Sequence, residues 1–192
     1  PMLLLLNSDA LPEKDTSLEI MLAALQQQRG RIGALGALLL HENGAIQHQS
    51  MEFAMNPSLD GELGATWLNE HPFKGINASI EPQRARTLQE VEAASAACLM
   101  LSKKLFDSVE GFSLDYIVGD FEDSDLCLKI RDFGLPIAVD LDATFFHLER
   151  QSVGLHTQSS QKKMKLVAAN ACTHHQRWCS TIDRLKKSEM GS

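Results

Sequence analysis

The sequence has little of what marks several classes of protein. It holds only four cysteines, Cys98, Cys127, Cys172 and Cys179, without a paired spacing, which excludes a disulfide scaffold. Cys98 and Cys127 stand in apolar runs and read as reduced core thiols of a reducing compartment. Basic residues are outnumbered, 18 Lys and Arg against 25 Asp and Glu, a net charge of -7, so the basic footprint of a nucleic-acid binder is missing. No apolar run reaches the ~20 residues of a membrane helix. Met2-Leu3-Leu4-Leu5-Leu6 is too short for a span and lacks the basic flank of a signal peptide. Internal repeats and low-complexity tracts are absent. What is there is ordinary for a globular protein: 192 residues, 44% hydrophobic and 22% charged, enough for one domain with a sizeable core.

Hydrophobic patterning predicts alternating strands and helices. Leu3 to Leu6 has no polar alternation, as in a strand covered on both faces, and ends in the polar Asn7-Ser8-Asp9. Asp15 or Thr16 can cap a helix with the face Leu18, Met21, Leu22 and Leu25, ended by Gly30. Ile32 to Leu40 reads as a second buried strand, Asn43-Gly44 as a tight turn, and Ala45 to His48 as a short strand. Residues 50 to 90 show no sustained period and read as irregular. Val91 to Leu101 reads as a strand, and Ser102 as the cap of a short helix through Phe106. A helix after Glu122 carries Leu126, Ile130 and Phe133 and stops at Gly134. Leu135 to Leu141 and Ala143 to His147 read as two short strands, and Gln161 to Lys187 as a helix. Together these predict an α/β fold with a mixed sheet, and such folds bind ligands beyond the carboxyl ends of their strands.

Chemistry concentrates in the stretch from Gly119 to Gly134, GDFEDSDLCLKIRDFG. Four carboxylates, Asp120, Glu122, Asp123 and Asp125, crowd the mouth of a helix. The macrodipole there accounts for one or two acids; four point to a base, a cation or a polyhydroxylated ligand as well. Asp120 and Asp125 are assigned to solvent or capping. Asp9, at the end of a buried strand, and His147, closing the last short strand, complete a set able to hold a hard cation and supply a general base.

The ordered segments LLLLNSDALP, GRIGALGALLLHENGAIQH, ASAACLMLSKKLFDSVEGF, GDFEDSDLCLKIRDFG and ATFFHLERQS resemble the inverting, GT-A type glycosyltransferases of family two, and most of all the rhamnosyltransferase-like members. The resemblance runs from Leu3 to about Ser152. It implies transfer of a sugar from a nucleotide-diphosphate donor to an acceptor hydroxyl with inversion, in surface polysaccharide or cell-envelope glycan synthesis. It places Asn7, Ser8 and Asp9 at the cofactor-binding turn, with Asp9 matching the last aspartate of the DXD motif and Asn7 standing where many members have the first. Asp9 and His147 would hold the divalent cation, Mn²⁺ or Mg²⁺. Asp123 matches the catalytic base, and Glu122 would orient the acceptor. Ala96 and Ala97 fall where members often carry a glycine, in the turn lining the acceptor site.

The resemblance also implies a truncated GT-A (nucleotide-diphospho-sugar transferase) fold. Residues 1–152 match the C-terminal part of the domain, without its N-terminal nucleotide-binding half, and residues 153–192 form a helical extension. Such a fragment alone would be weak or inactive. The expected partners are a nucleotide-diphospho-sugar donor and a glycan or lipid-linked acceptor, not nucleic acid. The expected location is the cytoplasm, at the inner face of the membrane if the basic cluster Lys162, Lys163 and Lys165 contacts anionic lipid. The alternative is a non-catalytic remnant that self-associates as a homodimer through an exposed edge strand. Two other motifs are set aside. VDLDATFF, Val139 to Phe146, is similar to the nucleophile motif of haloacid-dehalogenase-like phosphatases, but that motif opens its domain and only 48 residues follow Thr144. CTHHQRWC, Cys172 to Cys179, lacks zinc-finger spacing and reads as packing or surface.

Overall fold

The computed structural model describes residues 1–28, 30–57, 65–78, 87–117, 119–148 and 160–190, with side chains from 164 to 188 in the last segment. Arg29, residues 149–152 of the family-like stretch, the boundary at 152, and the side chains of Lys162 and Lys163 lie outside the described residues.

Among the described residues nine strands form in chain order: β1 (Met2–Leu6), β2 (Ala10–Pro12), β3 (Ala34–Leu40), β4 (Ile46–His48), β5 (Glu52–Asn56), β6 (Thr66–Glu70), β7 (Leu88–Val91), β8 (Cys98–Ser102) and β9 (Ile137–His147). Four helices join them: α1 (Ser17–Gln27), α2 (Lys103–Ser108), α3 (Glu122–Asp132) and α4 (Ser160–Met190). The main sheet runs β1-β8-β3-β9-β2, with β4 on β3 and β7 on β9. β3 is parallel to β9 and antiparallel to β8, so the sheet is mixed as expected.

β3 is buried along its whole length, and its period of two divides the core. Leu35, Ala37 and Leu39 meet Met21 and Leu25 of α1 on one face. Ala34 meets Leu99 and Leu101 of β8, Leu126 and Ile130 of α3, and Trp178 and Ile182 of α4 on the other. The protein is thus a helix–sheet–helix sandwich. Gly33, just before β3, makes the α3 contact possible, because a Cβ there would lie 2.2 Å from Ile130 Cγ2.

Several expectations need correction. β1 is half-buried rather than covered on both faces, because it is an edge strand paired, among the described residues, with β8 alone. Within residues 50 to 90 lie a β5–β6 hairpin and β7, whose polar residues hid the alternation. The strand expected from Val91 to Leu101 is two: β7 ends at Val91, β8 starts at Cys98, and a buried turn separates them. The two last short strands are one, β9, with a register shift against β3 near the expected break. Of the expected α1 face Met21 and Leu25 are buried, whereas Leu18 and Leu22 are exposed and Ser17 is buried in their place. Thr16 is the N-cap residue of α1 but makes no side-chain cap bond. Phe133 is 60% exposed, since it follows the last helical turn of α3 rather than lying on its apolar face. Asp125 is not a solvated cap but a fully buried carboxylate, held by donors distant in sequence. Ser102 caps α2 as expected, accepting from Leu105 N–H at 3.0 Å.

Candidate active site

The turn after β1 is fixed at both ends. Asn7 N–H donates to the Ala97 carbonyl and Ala10 N–H to the Asn7 carbonyl. Pairing of β2 with β9 puts Ala10 opposite His147, which brings Asp9 to the end of β9. Asp9 Oδ1 lies 3.3 Å from His147 Nε2, with both side chains largely shielded. Asn7 is exposed and reaches His147 Nε2 at 3.2 Å, whereas Ser8 is exposed in the turn.

Gln47 on β4 sets the tautomer of His147. Its amide donates to the His147 carbonyl at 3.0 Å, and its Oε1 lies 2.5 Å from His147 Nδ1. In the neutral ring this contact puts the proton on Nδ1 and turns the Nε2 lone pair towards Asp9. This is how histidines that bind metals are usually oriented. One carboxylate and one such imidazole fit a hard cation whose other positions are filled by phosphate oxygens and water. Among the described residues no group of three or more His, Cys, Asp or Glu side chains converges as a self-sufficient metal site.

Glu122 and Asp123 open α3 after a backbone that few residues adopt. Gly119, Asp120 and Phe121 have φ of 95°, 69° and 75° in succession. The last two are left-handed non-glycine residues, each at a cost of roughly 1–3 kcal/mol. Asp123 points at the buried turn between β7 and β8. Ser95 Oγ donates to its Oδ2 at 3.0 Å, and Ala96 N–H also donates to it. Ser95 Oγ accepts from Ala97 N–H, and Ala97 is the residue that grips Asn7. One turn thus ties the Asp9 loop to the candidate base. Ser95 is in turn held by His48 of β4, whose Nε2 accepts from Ser95 N–H at 3.0 Å. His48 Nδ1 meets His71 Nδ1 at 3.0 Å.

The electrostatics suit a base. Burial raises the Asp123 carboxyl above its ordinary range, opposed by the Ala96 and Ser95 bonds, raised further by Asp120 and lowered by His147. Burial, with Asp123 and then Asp120 nearby, raises Glu122 to about 7. Among the described residues Glu122 Oε2 is buried without a hydrogen-bond partner. Burial, followed by His71, Lys74 and His147, lowers His48 to about 3, so it stays neutral.

The structure therefore brings Asn7, Asp9 and His147 together at one strand end. It links them through Ala97 and Ser95 to Asp123. Gln47, His48 and Ser95 escaped sequence reasoning, because a short polar strand and a serine among alanines carry no motif. Asp140, in the phosphatase-like stretch, is buried in β9 and accepts from Asp142 N–H. His174 packs in the core against Ser124 and Phe121, as the packing reading of CTHHQRWC expects.

No family model matches the chain. Over 144 residues, 75% of its length, it is 30% identical to the uncharacterized protein y4gI of Sinorhizobium fredii (strain NBRC 101917 / NGR234). The match spans 15% of that protein. Among solved structures the chain is similar to GalNAc-T7, crystallised with UDP, GalNAc and Mn²⁺, at a TM-score of 0.51 and 11% identity. The similarity covers 79% of this chain and 28% of that one. The fold is thus α/β with a mixed sheet, similar to a GT-A fold glycosyltransferase.

Proposed function

We propose that the chain carries the catalytic side of a GT-A glycosyltransferase site of the inverting, family-two, rhamnosyltransferase-like kind, serving surface polysaccharide or cell-envelope glycan synthesis. The observation that carries this reading is the path of contacts from Asp9 and His147 through Asn7, Ala97 and Ser95 to Asp123. Asp9 and His147 would hold Mn²⁺ or Mg²⁺, and a bound divalent cation would neutralise charge on the departing nucleotide diphosphate. Asp123 takes the proton of the acceptor hydroxyl. Burial raises its proton affinity, which favours its taking a proton, while the Ser95 and Ala96 donors hold the carboxylate in one orientation. Glu122, half-buried beside it, orients the acceptor. Asn7 and Ser8 face the donor from the exposed turn.

Residues 1–152 form the C-terminal part of the transferase domain in this reading, and 153–192 a helical extension. The donor is a nucleotide-diphospho-sugar, the acceptor a glycan or lipid-linked glycan, and nucleic acid is not a partner of so acidic a chain. No described helix is long and apolar enough to cross a membrane. The proposed place is the cytoplasm, at the inner face of the membrane.

Calorimetric titration with UDP and with deoxythymidine diphosphate, with and without Mn²⁺, tests the site. Binding that requires Mn²⁺ and disappears in Asp9→Ala is expected. Binding in the wild type that survives Asp9→Ala removes the metal role of that residue. No binding to either nucleotide, together with a concentration-dependent dimer in sedimentation, favours the second reading. That reading is a self-associating module pairing through the half-exposed edge strand β1.

A further inference from the structure

The loop ahead of Glu122 and Asp123 cannot hold its shape by its own preferences. Three successive left-handed residues, two of them not glycine, require an outside restraint. Asn170 of α4, 2% exposed, meets that loop with its whole amide. Its Oδ1 accepts from Ile117 N–H at 3.0 Å. Its Nδ2 donates to the carbonyls of Ile117 at 3.0 Å and Gly119 at 2.7 Å, with a longer contact to that of Asp120 at 3.4 Å. One turn further along α4, His174 packs on the Phe121 ring, with centroids 5.2 Å apart, and reaches Ser124 Oγ at 3.0 Å.

We propose that Asn170 is a positioning residue: α4 carries the clamp that holds the left-handed loop and so sets the orientation and burial of Glu122 and Asp123. An asparagine is the residue for this task. It is short enough to sit between backbones and offers an acceptor and two donors at once, which matches a turn presenting one N–H and several carbonyls on one side. Alanine would take away the partner these part-buried backbone groups share, and the loop would relax towards ordinary backbone angles. The C-terminal helix thereby acts on the catalytic pair from behind, without touching substrate.

The test reads the titration of Glu122, which is half-buried beside Asp120 and Asp123 at the foot of the loop. Carboxyl carbon NMR is recorded on the complete chain, without donor or acceptor, for wild type, Asn170→Ala and Ile182→Ala. Ile182 is fully buried on the same helix and has no polar side-chain atom to offer the loop, so its truncation weakens α4 docking without releasing the clamp. In Asn170→Ala the Glu122 titration, raised to about 7 in the wild type, is expected to fall towards 4.5 by about one unit or more, as water reaches the carboxyl. In Ile182→Ala it stays at the wild-type value. An unmoved titration in Asn170→Ala, or an equal fall in both variants, overturns the proposal. Should Asn170→Ala not fold, Asn170→Ser is measured in its place with the same two outcomes. The inference rests on the reading of Glu122 and Asp123 as the catalytic pair, but the readout needs no turnover. A fall confined to the Asn170 variant retains the clamp even where Mn²⁺-dependent nucleotide binding fails.

Discussion

Asp123 and Asp125 stand two residues apart in the first turn of α3, yet the molecule treats them oppositely. Asp125 is fully buried and surrounded by donors: Ser113 Oγ at 2.6 Å, Trp178 Nε1 at 2.8 Å, Tyr116 OH and an Arg177 nitrogen each at 3.0 Å, with Lys129 at 3.4 Å. Burial alone would raise its proton affinity, but the bonds from Ser113, Trp178 and Arg177, with the charge of Lys129, outweigh it and hold the carboxyl below its usual range. Among the described residues Asp123 has the Ser95 and Ala96 donors alone to set against its burial, and its proton affinity is raised. The difference is one of donor supply. A carboxylate with every lone pair answered is an anchor; one left short of donors is ready for chemistry.

On the proposed reading, the largest expected effect comes from removing the base of this pair. In a transfer assay Asp123→Asn should lower kcat by roughly 10²–10⁴-fold, the range of a lost general base, while thermal unfolding stays near wild type. Next comes the anchor. Asp125→Ala should cost about 3–5 kcal/mol in denaturant unfolding, since it leaves the Ser113, Tyr116 and Trp178 donors without their acceptor and takes a buried carboxylate from Lys129 and from Arg177, which keeps Asp115. Glu122→Gln sharpens the comparison with a sign. The folded pKa of Glu122 lies above its unfolded value, about 7 against 4.5, so the folded state holds a proton the unfolded chain has released. Stability on this account is full below pH 4.5 and is lost as pH rises through 7. The variant should remove that slope and gain about 1–2 kcal/mol at pH 8, a value reduced for partial solvent screening. The smallest effect is Asp120→Gly, expected to add about 0.5–1 kcal/mol in the same unfolding measurement by relieving a φ of 69°, and to lower the Glu122 titration by removing a nearby charge.

Much of the frame was legible in the sequence, because apolar runs and caps act locally. The run through Leu35, Ala37 and Leu39 announced β3, the Asn43-Gly44 turn its exit, and Ser102 the start of α2. The acidic mouth of α3 and the strand-end positions of Asp9 and His147 were legible as places in the fold. The role of Asp125 was not, since its partners Ser113, Trp178 and Arg177 lie up to 53 residues away. Neither was β5–β6, where Glu52, Asn56, Asn69 and Glu70 interrupt the hydrophobic pattern of a hairpin covered on one side by α4. Asn170 looked like any polar residue on a helix, because nothing local records a loop folded against it.

The irregularity in β9 has a consequence for how the molecule opens. Ala37 pairs with Asp140 and Leu38 with Thr144, so residues 141–143 bulge out of the ladder. The outer neighbour of β9 also changes there, from β7 before the bulge to β2 after it. The strand is therefore two cooperative units joined by a slack segment. Amides of 137–140, locked between β3 and β7, should exchange with solvent only on global unfolding, whereas 144–147 should exchange together with Ala10 and Leu11 through a smaller opening. The end of β9 that carries His147 can then breathe with the Asp9 turn while the sheet beneath stays closed.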